Sequence, residues 1–345
     1  MKQIVAIEYG ASALVRALLL TGVLLLFGTG CVPVVHPLQQ VSPGDPTQLM
    51  PRVSPEPPGT LTPGTVASTP TITVPVSQNS LSPSAVADID AISEVPQDSW
   101  ETPMPVTQPI TITIVFDNNA YDPRLKTAWG FSALIESYDH ILLFDTGSDG
   151  SMLLENMNVL GIDPTRLESV MLSHAHVDHT GGLSALLEAG ARPDVYLLPS
   201  FPASYRKQVG RFVEVIDVTG SLMVAENLYT TGKLGRSTPE QTLVIRTDQG
   251  LIVITGCAHP GIIEILEQVQ ETFDDRISLV LGGFHLGSKS KAEIDSILKD
   301  FRRIGVEQVA PCHCTGERAV AMFAAEYGED FIQAGVGRII RFDNE

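Results

Sequence analysis

Residues 173 to 182 read Ser173-His174-Ala175-His176-Val177-Asp178-His179-Thr180-Gly181-Gly182, which puts four metal-ligating side chains within six residues. An apolar run with the length of a short buried strand, 169–172, leads into this segment, and a helix start follows it. In an extended loop, side chains two apart point the same way, so His174 and His176 can grip one metal ion. Asp178 and His179, turning into the next helix, face a second position close by. Neutral imidazoles suit Zn²⁺ and its first-row neighbours, and a carboxylate beside them can ligate or take a proton from bound water. Gly181 and Gly182 let the backbone pass close behind. In a chain with only eight histidines, three of them here mark the junction as a site and not as a surface loop.

Four ligands are too few for two ions, so the rest must come from elsewhere. The surrounding pattern indicates where. Residues 110–116 alternate with period two, and 131–135 and 140–144 continue as strands, the last ending in Asp145-Thr146-Gly147. A helix is expected from about 149 to 160, stopped by Gly161, and Asp163 precedes Pro164 as an N-cap precedes a helix. Strands follow at 241–247, 251–255, 277–281, 308–311 and 338–342, with helices at 262–272, 292–304 and 318–327. Hairpins first and strand–helix alternation later describe a mixed sheet with helices outside, an α+β domain. His259, His285 and His313 each lie just past a strand end, where site residues are usually presented.

The domain occupies residues 109–345. Of 24 prolines, 15 fall within residues 32–108, a stretch with only eight charged side chains. Such a composition buries too little apolar surface to offset chain entropy, and is expected to be a disordered tether. Residues 1–31 form a targeting segment: Lys2 and Arg16 precede an apolar run, 17–30, too short for a membrane-spanning helix. Its end, Leu26-Phe27-Gly28-Thr29-Gly30-Cys31, resembles the lipobox of bacterial lipoproteins, with Gly28 where an aliphatic residue is usual. That resemblance implies lipidation at Cys31 and a membrane anchor; a plain signal peptide and an uncleaved anchor are the alternatives. All three place the domain outside the cytoplasm. The net charge of −18 divides into +1 for residues 1–31, −6 for 32–108 and −13 for 109–345. So acidic a domain repels nucleic acid, which binds proteins by having its phosphates neutralised.

Taken together, His-x-His-x-Asp-His-x-Gly-Gly with the preceding strand and Asp145-Thr-Gly resembles the metallo-β-lactamase superfamily. Asp117-Asn118-Asn119, Trp129-Gly-Phe-Ser132, Thr255-Gly-Cys-Ala-His-Pro-Gly261, Gly282-Gly-Phe-His-Leu286 and Cys312-His-Cys-Thr-Gly316 are similar to its dihydropterin ribofuranosylaminobenzene-phosphate synthase-like subgroup. The resemblance covers essentially all of 109–345. It implies a four-layer αββα sandwich with a dinuclear site at one edge. His174 and His176 would hold the first metal with a third histidine, His259 or its competitor His285; Asp178 and His179 would hold the second with His313. The superfamily usually has a bridging Asp where this chain has Cys257, which is either a soft ligand or a buried, inert thiol. Cys312 and Cys314 flank His313 and are open to packing, ligation or a bridge to Cys257. Asp145 is expected to cap its turn and to hold a ligand histidine in its tautomer.

The expected chemistry is hydrolysis by metal-bound hydroxide, with Zn²⁺ as the ion and Mn²⁺ or Fe²⁺ as alternatives. Asp178 orients the nucleophile, and His285 or His313 stabilises developing negative charge. The partner is a small molecule, an ester, amide or phosphodiester, and a phosphorylated one if cations at 201–211 (Tyr205, Arg206, Lys207, Arg211) or 232–240 (Lys233, Arg236) receive an anion. Two other readings stand beside it: a transferase on a phosphorylated pterin-type substrate, as the subgroup's name implies, and a non-catalytic metal-containing binding lipoprotein.

Overall fold

The computed structural model describes residues 109–137 and 140–342. The expected targeting segment, Cys31 and the proline-rich stretch therefore lie outside the described residues. The described residues begin with three antiparallel strands, β1 (Ile110–Phe116), β2 (Ser132–Ser137) and β3 (His140–Phe144). Helix α1 (Gly150–Leu160) is capped by the Asp149 carboxylate, which accepts from Met152 N, and closed by Gly161 in the left-handed region. Strand β4 (Ser169–Met171) pairs parallel to β3 and delivers the chain into α2 (Val177–Thr180) and α3 (Leu183–Glu188). Next come β5 (Asp194–Leu197), α4 (Ala203–Val209), β6 (Val215–Asp217), β7 (Leu222–Ala225), β8 (Leu228–Thr230), β9 (Leu243–Thr247) and β10 (Gly250–Thr255). The last part alternates: α5 (Ile262–Phe273), β11 (Ile277–Gly283), α6 (Lys291–Ile304), β12 (Gln308–Cys312), α7 (Glu317–Tyr327) and β13 (Ile339–Phe342).

These strands form two mixed sheets. One has the order β13-β1-β2-β3-β4-β5-β6 and the other β12-β11-β10-β9-β8-β7. The layering follows from the period-two alternation of the strands. In β9 and β10, Leu243, Ile245, Ile252 and Ile254 join the core shared with the first sheet. Their neighbours Val244, Leu251 and Val253 join a second core with α5, α6 and α7. On the far side, Leu153 and Met157 of α1 and Leu183 and Leu186 of α3 cover the first sheet. The result is the expected sandwich, helices–sheet–sheet–helices. Helix α6 is the most explicitly encoded element. A capping box of Ser290 and Glu293 starts it and left-handed Gly305 ends it; Ile294, Leu298 and Phe301 face inward, where Phe301 meets Phe284 and Phe323 at ring-centroid distances of 5.6 and 5.0 Å.

Two expectations are corrected. Asp163 does cap a turn, accepting from Thr165 N, but Pro164–Arg166 is a single 3₁₀ turn and no α-helix follows, because Leu167 is already extended. In the segment 201–211, whose cations were expected to receive a substrate anion, the chain forms α4, and Arg206 is held by Asp217 and by Leu198 O. An engaged guanidinium is not free to receive a ligand's anion. Among the described residues, no helix is long and apolar enough to cross a membrane.

Ile254 is fully buried between the sheets. Ile254→Ala should therefore lower stability by about 2–5 kcal/mol, read as a lower urea midpoint at unchanged slope.

Candidate metal centre

Parallel pairing sets the position of the site. Because β3 and β4 run in parallel, and β10, β11 and β12 likewise, their C-terminal ends line one edge of each sheet. Asp145 leaves β3; Ser173, His174 and His176 leave β4; Cys257 and His259 leave β10; His285 leaves β11; His313 and Cys314 follow β12. Six described non-glycine residues have positive φ, and four of them, Asp145 (58°), Ala258 (57°), His285 (54°) and His313 (49°), stand at these strand ends. Such conformations cost of order 1 kcal/mol or more each and persist where surrounding contacts fix them.

Two adjacent residues, Glu240 and Gln241, tie the edges together. Both are fully buried. The Gln241 amide donates to Leu172 O (2.8 Å) and Tyr196 O (3.2 Å), and Gln241 N donates to Ser173 O (2.9 Å), so the segment leading into β9 is bonded to the ends of β4 and β5. Glu240 takes the β10 loop. Its Oε1 accepts from the backbone N–H groups of Gly256 (3.1 Å), Cys257 (2.9 Å) and Ala258 (2.9 Å), and its Oε2 from that of His259 (2.9 Å). Burial pushes the Glu240 carboxyl upward, while these N–H donors pull the other way. The two loops touch at Gly256, where a Cβ would lie 2.2 Å from Ser173 Oγ, so only glycine lets them approach this closely. At Gly182 a Cβ would lie 2.1 Å from Thr146 O, which gives the motif's second glycine its reason.

Within this frame, three buried histidines are anchored through Nδ1. His179 Nδ1–H donates to Asp145 Oδ2 (2.7 Å). His174 Nδ1–H donates to Ser173 Oγ (2.9 Å), whose hydroxyl donates to Asp145 Oδ2 (2.7 Å). His313 Nδ1–H donates to Asn118 Oδ1 (3.0 Å), and the Asn118 amide returns a bond to His313 O (3.3 Å). Each assignment leaves Nε2 as a lone pair facing the interior. His179 Nε2 lies 3.2 Å from Cys257 Sγ and 3.6 Å from Asp178 Oδ2, and His313 Nε2 lies 3.5 Å from Asp178 Oδ2. His174 and His259 rings are 4.7 Å apart at their centroids, and His176 and His259 rings 4.8 Å. Three sets of donor atoms fall within 4.8 Å of one another: Asp178, His179, Cys257 and His313; His174, Cys257 and His259; and Cys257, His285 and Cys314.

His174, Asp178, His179, His259, His285 and His313 all fall in these donor sets, whereas His176 falls in none of them and Cys31 lies outside the described residues. His176 is exposed, with Nδ1 3.0 Å from His174 Nε2. Of the two competitors for the first position, His259 shares a donor set with His174, whereas exposed His285 shares one with Cys257 and Cys314. Cys257, Cys312 and Cys314 are all unbridged. Cys312 belongs to the apolar core of the sandwich.

The donors suit a cation. The buried nitrogens His259 Nε2 and His313 Nε2 have no hydrogen-bond partner, a deficit of about 1–3 kcal/mol each that an ion would remove. Burial and the neighbouring imidazoles hold His174 well below the usual range and His259 down to about 4, so both are neutral at physiological pH. For His179, burial is outweighed by the Asp145 carboxylate and the net direction is up. Burial would raise the Asp178 carboxyl, but the contact with His313 and the charge of His179 carry it below the usual range. Cys314 is pulled down by the hydrogen bond from Cys257, whose own thiol that bond and burial push up.

Glu240, Gln241, Ser173 and Trp129 are partners that a reading of local sequence does not assign. Trp129, largely exposed, donates from Nε1 to Asp178 Oδ2 (2.8 Å) and sits 4.8 Å from the His313 ring.

Glu240→Gln should turn an amide N–H₂ toward at least one of these backbone donors. We expect a stability loss of about 2–4 kcal/mol and weaker cation binding, measured by urea unfolding and calorimetric titration. In metal-free protein, the His259 ring-proton resonance should titrate with a midpoint near 4; a midpoint at the ordinary histidine value would contradict the packing described.

Comparison with known proteins agrees with this geometry. Residues 130–212 match the family model described as the Metallo-beta-lactamase superfamily. A 7,8-dihydropterin-6-methyl-4-(beta-D-ribofuranosyl)-aminobenzene-5'-phosphate synthase of Methanocaldococcus jannaschii is 28% identical over 283 residues, 67% of this chain and 95% of that protein. The crystal structure of a metal-dependent hydrolase of the beta-lactamase superfamily is 33% identical with a TM-score of 0.59, and the match spans 68% of this chain and 99% of that one. The metallo-beta-lactamase fold protein YhfI from Bacillus subtilis, 15% identical, shares the fold with a TM-score of 0.51 over 68% of this chain and 100% of its own. With the fold, the histidine cluster and a relative one-third identical along its whole length, the chain belongs to the metallo-β-lactamase superfamily.

Proposed function

We propose that residues 109–345 form a metal-dependent hydrolase acting on an ester, amide or phosphodiester-type small molecule. The observation that carries this reading is the convergence of three buried histidines, each fixed through Nδ1 and presenting Nε2 to the same space as Asp178 and Cys257. His174, His176 and His259 would hold one ion, and Asp178, His179 and His313 the other. Zn²⁺ fits imidazole and thiol donors best, with Mn²⁺ or Fe²⁺ as alternatives. When bound, such ions supply Lewis acidity that makes water a nucleophile near neutral pH and polarises the bond it attacks.

The chain's own residues do the rest. Asp178 is a weak base, because its surroundings favour the carboxylate. Its task is to orient the attacking water, and Trp129 fixes the carboxylate from outside. His285 is exposed at the rim, and hydrogen bonding with Cys314 raises its pKa, so as a cation it can stabilise negative charge developing on the substrate. The 232–240 loop lies against the site: a Cβ at Gly235 would sit 2.9 Å from Pro260, next to His259. Lys233 and Arg236 on that loop are exposed and suit a substrate phosphate or carboxylate.

A second reading, transfer to or from a phosphorylated pterin-type substrate, is favoured by the synthase relative. The lipobox-like sequence at Cys31 weighs against it: an anchored domain outside the cytoplasm would be separated from substrates of that kind.

The test is a metal count on the purified chain with a panel of phosphodiesters, lactones, thioesters and β-lactams. We expect turnover of at least one class, lost on chelation, restored by Zn²⁺, and reduced roughly 10²–10⁴-fold in Asp178→Ala. Bound metal without turnover of any class, but with tight retention of a small molecule, would favour a binding protein, and activity confined to a diphosphate-activated pterin would favour the transferase.

A further inference from the structure

Cys257 occupies a position unlike that of an ordinary buried cysteine. It is 3% exposed, yet it belongs to neither apolar core, whereas Cys312, fully buried, packs into one. Its sulfur faces polar atoms: His179 Nε2 at 3.2 Å, and the donor atoms of both candidate cation positions within 4.8 Å. One of these is His313 Nε2, which lacks any hydrogen-bond partner on a side chain only 2% exposed. The backbone on either side is fixed by the four N–H bonds to Glu240, so the thiol is aimed by a rigid loop.

Elimination points the same way. Two divalent ions held close together repel each other, and an anionic side chain between them lowers that repulsion. Among the described residues three carboxylates are buried, Asp117, Asp145 and Glu240, and none of them falls in a donor set with the histidines. Asp145 is taken up by Ser173 N, Ser173 Oγ and His179 Nδ1, and Glu240 by the β10 loop. Asp178 stands with the His179–His313 set, and Cys257 alone occurs in both that set and the His174–His259 set.

We propose that Cys257 Sγ is the donor shared by both cation positions, making this a thiolate-linked centre that selects soft, thiophilic ions over Mn²⁺. The proposal rests on the reading that the histidine cluster holds metal. On loading, the Cys257 S–H bond breaks, sulfur keeps the electron pair and donates it to the ions, and the proton leaves to solvent; no oxidant is involved. Cys314 and His285 form a third donor set with Cys257, and Cys314 Sγ donates to the Cys257 carbonyl.

Cobalt substitution tests this without relying on turnover, because a thiolate bound to Co²⁺ gives a near-ultraviolet charge-transfer band. The full chain, reduced and metal-free, is titrated with CoCl₂ and followed by absorption and by metal analysis. The band should grow as Co²⁺ binds, vanish in Cys257→Ser, and persist in Cys314→Ser. Cys257→Ser should lose affinity by more than the roughly 10–100-fold typical of removing a ligand's supporting partner. Cys257→Asp, checked for folding by circular dichroism, should bind Co²⁺ without the band and shift the Mn²⁺-to-Co²⁺ affinity ratio toward Mn²⁺ by about 10-fold or more. Co²⁺ bound without a band, or a band lost in Cys314→Ser but kept in Cys257→Ser, would overturn the proposal and leave the metal centre standing. Failure of the unaltered chain to bind Co²⁺ would overturn both.

Discussion

The site depends on a pair of neighbouring side chains that are not part of it. Glu240 and Gln241 enter the second sheet at the place where it meets the first, and each supplies buried hydrogen bonds to a different loop. Gln241 fixes the end of β4, from which His174 departs; Glu240 fixes the turn after β10, which carries Cys257 and His259. A metal centre assembled from two sheets needs their edges held to a few tenths of an ångström. Apolar packing between β-sheets is too forgiving to give that, since it is non-directional. Hydrogen bonds in a water-free interior are directional and costly to leave unmade, so they set the register that packing leaves loose. The Asp145 carboxylate does the same inside the first sheet, joining Ser173, His174 and His179 in one network.

Much of this was legible from residue order, and the parts that were not share a cause. The His174–His179 segment declares itself because its donors are contiguous, and the strand-end rule brought His259, His285 and His313 into view. Helix α6 was legible to within one residue, since its cap, its apolar stripe and its terminal glycine all agree. Short strands such as β5 and β7 were not, because three or four residues carry no period and gain their structure from neighbours in the sheet. Glu240 escaped for a related reason: its partners lie 16 to 19 residues away. A lone acid before a strand reads as a solvated side chain until the fold closes around it. His259 and His285 both follow strands, and only the fold shows that His259 shares a donor set with His174 while His285 shares one with Cys257 and Cys314.

Charge is divided within the domain in a way its net value of −13 conceals. The carboxylates nearest the histidines are spoken for by backbone or imidazole donors, so they hold the scaffold and leave little free negative charge toward the mouth. The exposed cations Lys233 and Arg236 lie on the loop that ends at Glu240.

That loop has a double duty with an evolutionary consequence. Leu234 and Glu240 exchange backbone hydrogen bonds at 2.8 and 3.0 Å, closing its base. Everything between them can lengthen, shorten or change composition while Glu240 stays fixed. A graft that carries the junction past Glu240 would instead release the turn beneath it. Natural recombination and laboratory loop exchange meet the same boundary, so new specificities can arise on this scaffold without first dismantling its chemistry.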